Sequence, residues 1–276
     1  MAPHRVLFCP PTYFEVREVK NPYMRGLLSV DPVRAQQQWS AVCEAFRAAG
    51  CALELIDPVP GLEDMVFAAN PAFVGSHPQH GRFVVPGHMR YVSRRAEVRH
   101  YVEWFRARGY RIVDVGLEQE FLEGHGDLLW DADASRVWAG HGFRSTCGGV
   151  EKFAAAMREM GIPVIPLQLV DENFYHLDAC FAPLHAGAAV IYPDAFSAQS
   201  LALIRAQIPR LYELDRAEAL KFGCNGVSIN GNYITPALTP ALASILEREA
   251  LQPVLLDTSE FMKSGGSVAC LKLFFE

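Results

Sequence analysis

The sequence predicts an α/β fold in which five similar modules form a closed ring. The order helix, strand, aperiodic segment, strand recurs five times in 276 residues, and a period of roughly fifty residues is typical of repeat architectures. Neither end of the sequence resembles the polar capping repeat that an open array needs. The strand predicted at 5–9 precedes the first helix, so it can complete the fifth module. Closure in this way would leave no exposed sheet edge between the ends of the chain.

Each element is predicted from its apolar period and from the residues at its ends. Helices are predicted at about 33–49, 94–108, 149–160, 197–206 and 240–249. The strand after each helix is predicted at 52–56, 110–115, 163–167, 210–214 and 253–256. The aperiodic segments are 64–74, 121–130, 174–181, 224–229 and 265–270, and closing strands follow at 82–86, 136–139, 188–192 and 232–234. Pro32 in the first turn and Gly50 after the last residue support the first helix.

The composition limits the class of protein. Half of the residues are apolar, which is enough for a large core, and we predict a single catalytic domain over 1–276. The net charge is −6 without a block of Lys and Arg, which argues against nucleic acid as a partner. No apolar run has the length of a membrane span, and the first residues lack the apolar region of a signal peptide.

The cysteines indicate a reducing compartment. The seven cysteines are an odd number without a CxxC pair, which argues against a disulfide framework and against a Cys-rich zinc site. We therefore predict a cytoplasmic protein without a metal or a cofactor. A homo-oligomer is compatible with the sequence.

The aperiodic segments carry the polar residues that point to a functional site. In a closed ring the equivalent segment of every module faces the axis, so these residues should meet there. Polar groups inside core segments are unfavourable unless they are paired, and their convergence is better explained by a ligand. The residues concerned are Asn70, Glu123, Asp127, His176, Asp178, Asn225 and Cys270.

The chemistry of these side chains indicates a covalent reaction on a guanidinium group. A strand cysteine such as Cys270 is ordinarily a small apolar filler, but a thiolate aimed into a cavity is a nucleophile. His176 is the candidate general acid and base. Two carboxylates, Glu123 and Asp178, make a poor oxyanion hole but a good clamp for a planar cation with several N–H donors. Attack of the thiolate on such a cation gives a covalent S-amidino adduct, with ammonia or an amine leaving.

Further residues are candidates for substrate binding. Arg90 and Arg144 each follow a strand on the same side of the ring and could hold an α-carboxylate, although either could equally be a surface arginine. Asn21 lies in a loop that could reach the substrate, or it could simply form a turn. Phe67 belongs to the segment of Asn70, Ser264 directly precedes the segment of Cys270, and the two residues complete the predicted site. Asp127 and His125 are assigned structural roles in their Gly-His-Gly turn.

The motifs resemble those of the guanidino-group-modifying enzymes, which include dimethylarginine dimethylaminohydrolases, arginine deiminases and amidinotransferases. The resemblance covers the whole chain and rests on these stretches: Asn21-Pro-Tyr-Met, Phe67-Ala-Ala-Asn70, Glu123-Gly-His-Gly-Asp127, Gly142-Phe-Arg144, His176-Leu-Asp178 and Gly265-Gly-Ser-Val-Ala-Cys270. It implies a five-bladed α/β propeller, called the pentein fold. It also implies attack by Cys270 on the guanidine carbon, proton transfer by His176, and guanidinium binding by Glu123 and Asp178.

One departure refines the resemblance. Many relatives carry an acid in the segment where this chain has Asn70, and Asn70 together with Asn21 is similar to the arginine dihydrolase branch. That branch converts arginine to ornithine, ammonia and carbon dioxide. An amide both donates and accepts hydrogen bonds, so it could hold the neutral ureido group of citrulline for a second hydrolysis. A small guanidino compound is therefore the predicted partner.

Several alternatives stay open at this point. The reaction could stop at citrulline, as in a dimethylarginine dimethylaminohydrolase or an arginine deiminase, or an amine could replace water, as in an amidinotransferase. Some propellers of this kind are non-enzymatic binding factors, but such a factor needs neither Cys270 nor His176. A metal hydrolase built on His176 and Asp178 with a further histidine is the third alternative.

Overall fold

Fifteen strands form five separate three-stranded sheets within residues 4–275, the part of the chain that the computed structural model describes. The strands are β1 (Arg5–Phe8), β2 (Ala52–Leu55), β3 (Ala72–His77), β4 (Gly81–Pro86), β5 (Arg111–Ile112), β6 (Leu128–Trp130), β7 (Val137–His141), β8 (Val164–Gln168), β9 (Phe181–His185), β10 (Ala188–Ile191), β11 (Arg210–Glu213), β12 (Val227–Ile229), β13 (Asn232–Thr235), β14 (Gln252–Leu255) and β15 (Lys272–Phe274).

The helices follow the predicted modular order. They are α1 (Pro32–Ala48), α2 (Val92–Arg106), α3 (Gly124–Asp127), α4 (Cys147–Glu159), α5 (Ala198–Gln207), α6 (Arg216–Ala219), α7 (Pro240–Arg248) and α8 (Ser259–Met262). Single 3₁₀ turns lie at Pro22–Met24, Glu172–Phe174, Leu177–Ala179 and Pro193–Ala195. Side-chain oxygens of Asp31, Thr146, Ser197 and Thr239 accept backbone hydrogen bonds at the starts of α1, α4, α5 and α7, which satisfies donors that a helix start leaves free.

All five sheets share one topology. The orders are β15-β1-β2, β3-β4-β5, β6-β7-β8, β9-β10-β11 and β12-β13-β14. In each sheet the central strand pairs antiparallel with the first strand named and parallel with the strand that follows the long helix of the module. This arrangement confirms the predicted five-bladed α/β propeller. No helix among residues 4–275 is long and apolar enough to cross a membrane.

The ring closes where the sequence predicted closure. Strand β1 pairs antiparallel with β15 from the far end of the chain, with Leu7 opposite Leu273. Helix α1 covers this sheet, and Phe46 of the helix packs edge-on against Phe8 of β1 with ring centroids 5.4 Å apart. Burial of such large apolar side chains between a helix and a sheet provides most of the stability of a module. The site therefore rests on a rigid sheet made from both ends of the chain.

The main differences from the prediction lie in the aperiodic segments. Four of them end in strands β3, β6, β9 and β12, and β15 follows the fifth; each of these strands pairs antiparallel with the central strand of its sheet. These strands are buried on both faces over much of their length, so they lack the alternation that identifies a strand in sequence. Strand β5 is shorter than predicted, because pairing with β4 covers only Arg111 and Ile112.

Candidate active site

A cavity opens at the end of the axis where the five aperiodic segments meet, and we call it the front cavity. Its volume is about 20 Å³, which is room for little more than one water molecule. A substrate of the size of an amino acid can therefore enter only if lining side chains move. The residues that line it are Lys20, Asn21, Met24, Asp64, Phe67, Asn70, Arg94, Arg144, Tyr175, His176, Ser264, Gly266 and Cys270.

Cys270 lies at the inner end of the front cavity, two residues before β15. Its thiol donates to Asp178 Oδ2 over 3.1 Å, and Asn225 Nδ2 donates to the sulfur over 3.3 Å. Asn225 is fixed in turn, because its Oδ1 accepts from the N–H of Ala269 and its Nδ2 donates to the carbonyl of Asp178. Cys270 is 5% exposed, so the sulfur is held by two other modules and still reaches the cavity.

Burial sets the protonation of the thiol and of its carboxylate partner. It raises the pKa of Cys270 well above its ordinary value, and the negative charge of Asp178 adds to the effect. Burial also raises the pKa of Asp178 to about 7, although the thiol hydrogen bond and Lys272 oppose that shift. The unliganded protein therefore holds a neutral thiol next to an acceptor that titrates near neutrality. A cation bound against the sulfur would favour the thiolate.

This geometry gives a first prediction about the free thiol. Ultraviolet absorbance of Cys270, taken as wild type minus Cys270→Ser, should reveal no thiolate below a pH of about 9, since free cysteine titrates at about 8.5 and burial raises the pKa further. Addition of a guanidinium cation should move the titration to lower pH. A thiolate that forms below pH 8 in the unliganded protein would contradict this description.

Glu123 lies one layer behind the front cavity and is fully buried. Its Oε2 is 2.8 Å from His176 Nε2 and accepts from Arg144 Nη1 over 2.9 Å, while Oε1 accepts from the N–H of Arg90 over 3.0 Å. Burial opposes ionisation, but the charge of Arg144 and the hydrogen bond of His176 outweigh it and lower the pKa of Glu123 below its ordinary value. Both oxygens of Glu123 thus have partners within the protein, and the predicted contact of Glu123 with a guanidinium stays a prediction.

Asn70 lines the front cavity and has one amide group without a partner in the described part of the chain. Its Oδ1 accepts from Arg94 Nη1 over 3.1 Å, which fixes the orientation of the amide. Its Nδ2 is buried and has no partner among the described residues. The neighbouring backbone is Gly126, where a Cβ would lie 2.3 Å from Asn70 Nδ2 and 3.2 Å from the His176 ring. Only glycine allows the amide of one module and the imidazole of another to approach so closely.

The two predicted arginines differ in position. Arg144 is buried, lines the front cavity and stacks between Tyr91 and Tyr175, with its guanidinium carbon 4.9 and 4.6 Å from their ring centroids. The side chain of Arg90 is exposed and lies over Phe121, outside the cavity lining. Its contribution to the site in this structure is the backbone hydrogen bond to Glu123. A role of the Arg90 side chain in substrate binding stays a prediction.

The remaining predicted residues form one wall of the front cavity. Asn21 Nδ2 donates to the carbonyl of Ser264 over 2.9 Å and thereby connects the first loop to the segment of Cys270. Ser264 Oγ is buried without a partner among the described residues. At Gly265, where φ is +76°, a Cβ would lie 2.9 Å from Asn21 Oδ1 and 2.7 Å from the hydroxyl of Tyr175. Phe67 packs against Gly266 beside the sulfur.

Sequence reasoning missed four charged or polar residues of the lining. Asp64 accepts from Lys20 over 2.9 Å through Oδ2, and its Oδ1 has no partner among the described residues. Arg94 is buried between Glu97 and Asn70, and Tyr175 donates to the carbonyl of Gly265 over 2.7 Å. The sequence did offer one signal for three of these residues, which is their proximity to the selected motifs. This applies to Lys20, Asp64 and Tyr175.

Two residues of the Gly-His-Gly turn have the structural roles that were expected. Asp127 accepts from the hydroxyl of Ser145 over 2.6 Å and from the N–H of Leu177 over 3.1 Å, so it joins the second and third modules. His125 Nε2 accepts from the N–H of Val74 over 3.1 Å. Among residues 4–275 no three His, Cys, Asp or Glu side chains are arranged to hold a metal ion.

Together, these contacts place three groups around the front cavity: a thiol, an imidazole with a buried carboxylate behind it, and a hydrogen-bond acceptor beside the sulfur. A family model described as eukaryotic N,N-dimethylarginine dimethylhydrolase matches residues 10–273. The chain belongs to this family. Membership in the dimethylarginine dimethylhydrolase family confirms the predicted superfamily and confirms that the chain is a hydrolase.

Two curated relatives have different activities. The dimethylarginine dimethylaminohydrolase of Mycobacterium tuberculosis is 36% identical over 98% of this chain and 85% of that protein. The bifunctional arginine dihydrolase/ornithine cyclodeaminase ArgZ of Synechocystis is 33% identical, but this chain spans only 37% of its length. The two relatives alone therefore leave the substrate of this chain open.

Solved structures of the N-terminal domain of ArgZ match the whole fold. A cysteine-to-serine variant bound to its substrate has a TM-score of 0.92 and 31% identity, and the match covers 98% of this chain and 97% of that one. A variant with serine in place of an asparagine is covalently bound to a reaction intermediate, again with a TM-score of 0.92, 31% identity and coverage of 99% and 98%. In these two structures a cysteine or an asparagine of ArgZ is replaced by serine, and the bound molecule is the substrate or a reaction intermediate.

Proposed function

We propose that this chain is an arginine dihydrolase, which converts arginine and two water molecules to ornithine, carbon dioxide and two ammonia molecules. The observation that carries the proposal is the buried, unpartnered Nδ2 of Asn70, a residue that lines the front cavity. A guanidinium has only N–H donors and cannot use another donor, whereas the ureido oxygen of citrulline is an acceptor. A donor at this position is therefore useful for an enzyme that must bind citrulline as an intermediate.

The first half-reaction produces citrulline. We propose that the guanidinium binds between Cys270 and His176 and that the charge of Asp178 holds it there. The thiol proton moves toward Asp178, which accepts its hydrogen bond over 3.1 Å, and the sulfur attacks the guanidine carbon. His176, positioned by Glu123, protonates the leaving ammonia and then removes a proton from the attacking water. The carbon–sulfur bond breaks, and citrulline is left in the cavity.

The second half-reaction repeats the attack on a neutral group. The thiolate adds to the ureido carbon while Asn70 Nδ2 donates to the ureido oxygen, on which negative charge develops. Ornithine leaves with a proton from His176, and the cysteine keeps a carbamoyl group. A second water releases carbamic acid, which decomposes to ammonia and carbon dioxide. We propose that the same thiol and the same imidazole serve both halves.

The amino-acid end of the substrate requires groups of both charges. We propose that Asp64 Oδ1, which has no partner among the described residues, accepts from the α-ammonium. Arg144 is the candidate for the α-carboxylate, because it lines the front cavity between two tyrosine rings and keeps N–H groups beyond those that donate to Glu123 and to the carbonyl of Lys20. A planar fork fixed in this way suits a carboxylate. These contacts favour an amino acid with a guanidino side chain over a simple guanidine.

A second candidate function is dimethylarginine dimethylaminohydrolase. Met24 and Phe67 give the front cavity two apolar walls that could accept N-methyl groups, and one curated relative has this activity. Asn70 argues for the dihydrolase, because the second hydrolysis is the step for which a donor is needed. We also propose that the whole chain forms one catalytic domain. The homo-oligomer and the cytoplasmic location stay predictions from the sequence.

Substitution of Asn70 by aspartate tests the proposal. The new carboxylate would pair with Arg94 and offer no donor, so arginine should still be attacked while ornithine formation falls by at least about 100-fold, the scale for loss of one oxyanion donor. Citrulline should then accumulate as the end product, measured by mass spectrometry. Asn232→Asp in the β12–β13 hairpin is the matched control and should still yield ornithine. Ornithine formed at the wild-type rate by Asn70→Asp would contradict the proposal.

A further inference from the structure

A second cavity opens at the opposite end of the propeller axis, and we call it the rear cavity. Its volume is about 750 Å³, within the range of pockets that bind small molecules. It shares no lining residue with the front cavity. The inner strand of every sheet contributes to its walls, which are largely apolar and include Val74, Leu129, Phe181, Ile229 and Phe274.

The rear cavity contains a buried amine that has no hydrogen-bond or ion-pair partner among the described residues. Lys272 is 8% exposed and lines the cavity. Among the described residues its ammonium makes no hydrogen bond and no ion pair, and its contact is with the ring of Phe274, 5.0 Å from the centroid. A buried ammonium is strongly unfavourable unless it is paired. Burial lowers the pKa of Lys272, while the negative charge of Asp178 opposes that shift, so an anion bound against the amine would favour its ammonium form.

Two of the carboxylates that line this cavity are already paired, and the third, Asp178, acts on Lys272 through its charge without a direct contact. Glu249 pairs with His185 over 2.5 Å and with Arg210 over 3.1 Å, and Asp131 pairs with Arg136 over 3.3 Å. Asp178 uses Oδ2 to accept from Cys270 and forms no ion pair with Lys272 among the described residues.

The histidine beside Lys272 is neutral. His125 Nε2 accepts a hydrogen bond from Val74, so its proton is on Nδ1. Burial and the charge of Lys272 lower the pKa of His125 to about 3. Lys272 is therefore the buried basic group that could gain a positive charge against an anionic ligand.

We propose that the rear cavity binds a small organic carboxylate with an apolar body. The carboxylate pairs with the ammonium of Lys272, and the body packs against Phe181, Ile229 and Phe274. An inorganic anion would satisfy the lysine but leave the apolar walls unused. A neutral apolar molecule would fill the walls but leave the ammonium unpaired. A charge-assisted hydrogen bond in an apolar pocket combines both contributions.

Such a ligand should also affect catalysis, and this part rests on the proposed function. Lys272 lies two residues after Cys270, and its charge lowers the pKa of Asp178. Neutralisation by a carboxylate removes this contribution, so Asp178 is less often ionised near neutral pH. A protonated Asp178 binds a guanidinium less tightly. The ligand should therefore inhibit by raising KM for arginine without occupying the front cavity.

Calorimetry with sodium hexanoate tests the binding directly, with hexanamide as its uncharged analogue. Wild type should bind one hexanoate per chain and should bind hexanamide at least about tenfold more weakly, since hydrogen bonds to charged groups are the stronger ones. Lys272→Met keeps the side-chain length without the charge. Its affinity for hexanoate should fall by a similar factor, and its affinity for hexanamide should not change. Ser228→Leu narrows the cavity and should weaken both ligands.

The outcomes separate this proposal from the proposed function, because binding is measured without turnover. Equal affinity of wild type for hexanoate and hexanamide, unchanged hexanoate binding by Lys272→Met, or no binding at all would each overturn the rear site. Circular dichroism checks that the variants are folded. If Lys272→Met does not fold, the affinities of wild type and of Ser228→Leu for the two ligands test the proposal instead. Binding that depends on Lys272 would stand even if arginine were not the substrate.

Discussion

Substitution of Cys270 by alanine is expected to abolish arginine turnover, with kcat lowered by at least about 10⁴-fold, the scale seen when a catalytic nucleophile is removed. In the proposed reaction the sulfur is the atom on which both covalent intermediates form, and no other cysteine among the described residues lines the front cavity. The other six lie elsewhere, five buried and one exposed. Cys147 is exposed at the start of α4, on the outside of the propeller.

Kinetics and intact-protein mass spectrometry measure this effect together. Wild type quenched during turnover should carry an adduct on Cys270, and Cys270→Ala should carry none. Cys147→Ala is the matched control, because it removes an accessible thiol without touching the site, and it should retain full activity. Turnover by Cys270→Ala within tenfold of wild type would mean that the reaction is not covalent at this sulfur.

Substitution of Glu123 by glutamine is expected to have the second largest effect, a fall in kcat of about 10²–10⁴-fold, which is the contribution of general acid–base catalysis. The amide keeps the size of the carboxylate but not the charge that orients and stabilises the imidazole of His176 2.8 Å away. It also leaves the buried guanidinium of Arg144 without its carboxylate. Loss of one partner of a buried ion pair costs about 3–5 kcal/mol of unfolding free energy.

Steady-state kinetics and urea unfolding separate the two parts of this effect. Glu118→Gln, which removes an exposed carboxylate on the same stretch of chain, should change neither measurement appreciably. A variant of Glu123 that is destabilised but turns over at the wild-type rate would assign the residue a purely structural role. The reverse result, lower kcat at unchanged stability, would still agree with a role in orienting His176.

The elements predicted from sequence are those whose local signals and tertiary environment agree. Helix α1 begins at Pro32 and ends near Gly50 as expected, because a proline and a glycine at those positions act through the backbone alone. The closure of β1 on β15 was predictable because an unpaired edge strand is unfavourable in any ring. The meeting of Asn70, His176 and Cys270 followed from the fivefold repeat without any knowledge of side-chain contacts.

The parts that could not be predicted depend on contacts between distant modules. Arg90 and Arg94 are four residues apart, and the sequence gives no reason to prefer one. Helix α2 begins at Val92, which turns Arg94 inward to Glu97 and Asn70 and leaves Arg90 outside. Glu123 was assigned to the substrate because its residue type suits a guanidinium, and nothing in the sequence indicated that Arg144, 21 residues away, would donate to it. The rear cavity has no sequence signal, because its walls are ordinary apolar strands.

Product analysis with arginine tests the central claim most directly. Purified wild type should convert arginine to ornithine with two molecules of ammonia for each ornithine, followed by mass spectrometry over time, and Cys270→Ala should form neither product. Citrulline as the sole end product would contradict the dihydrolase. Release of dimethylamine from dimethylarginine, with arginine left untouched, would instead assign the chain to the other activity of its family.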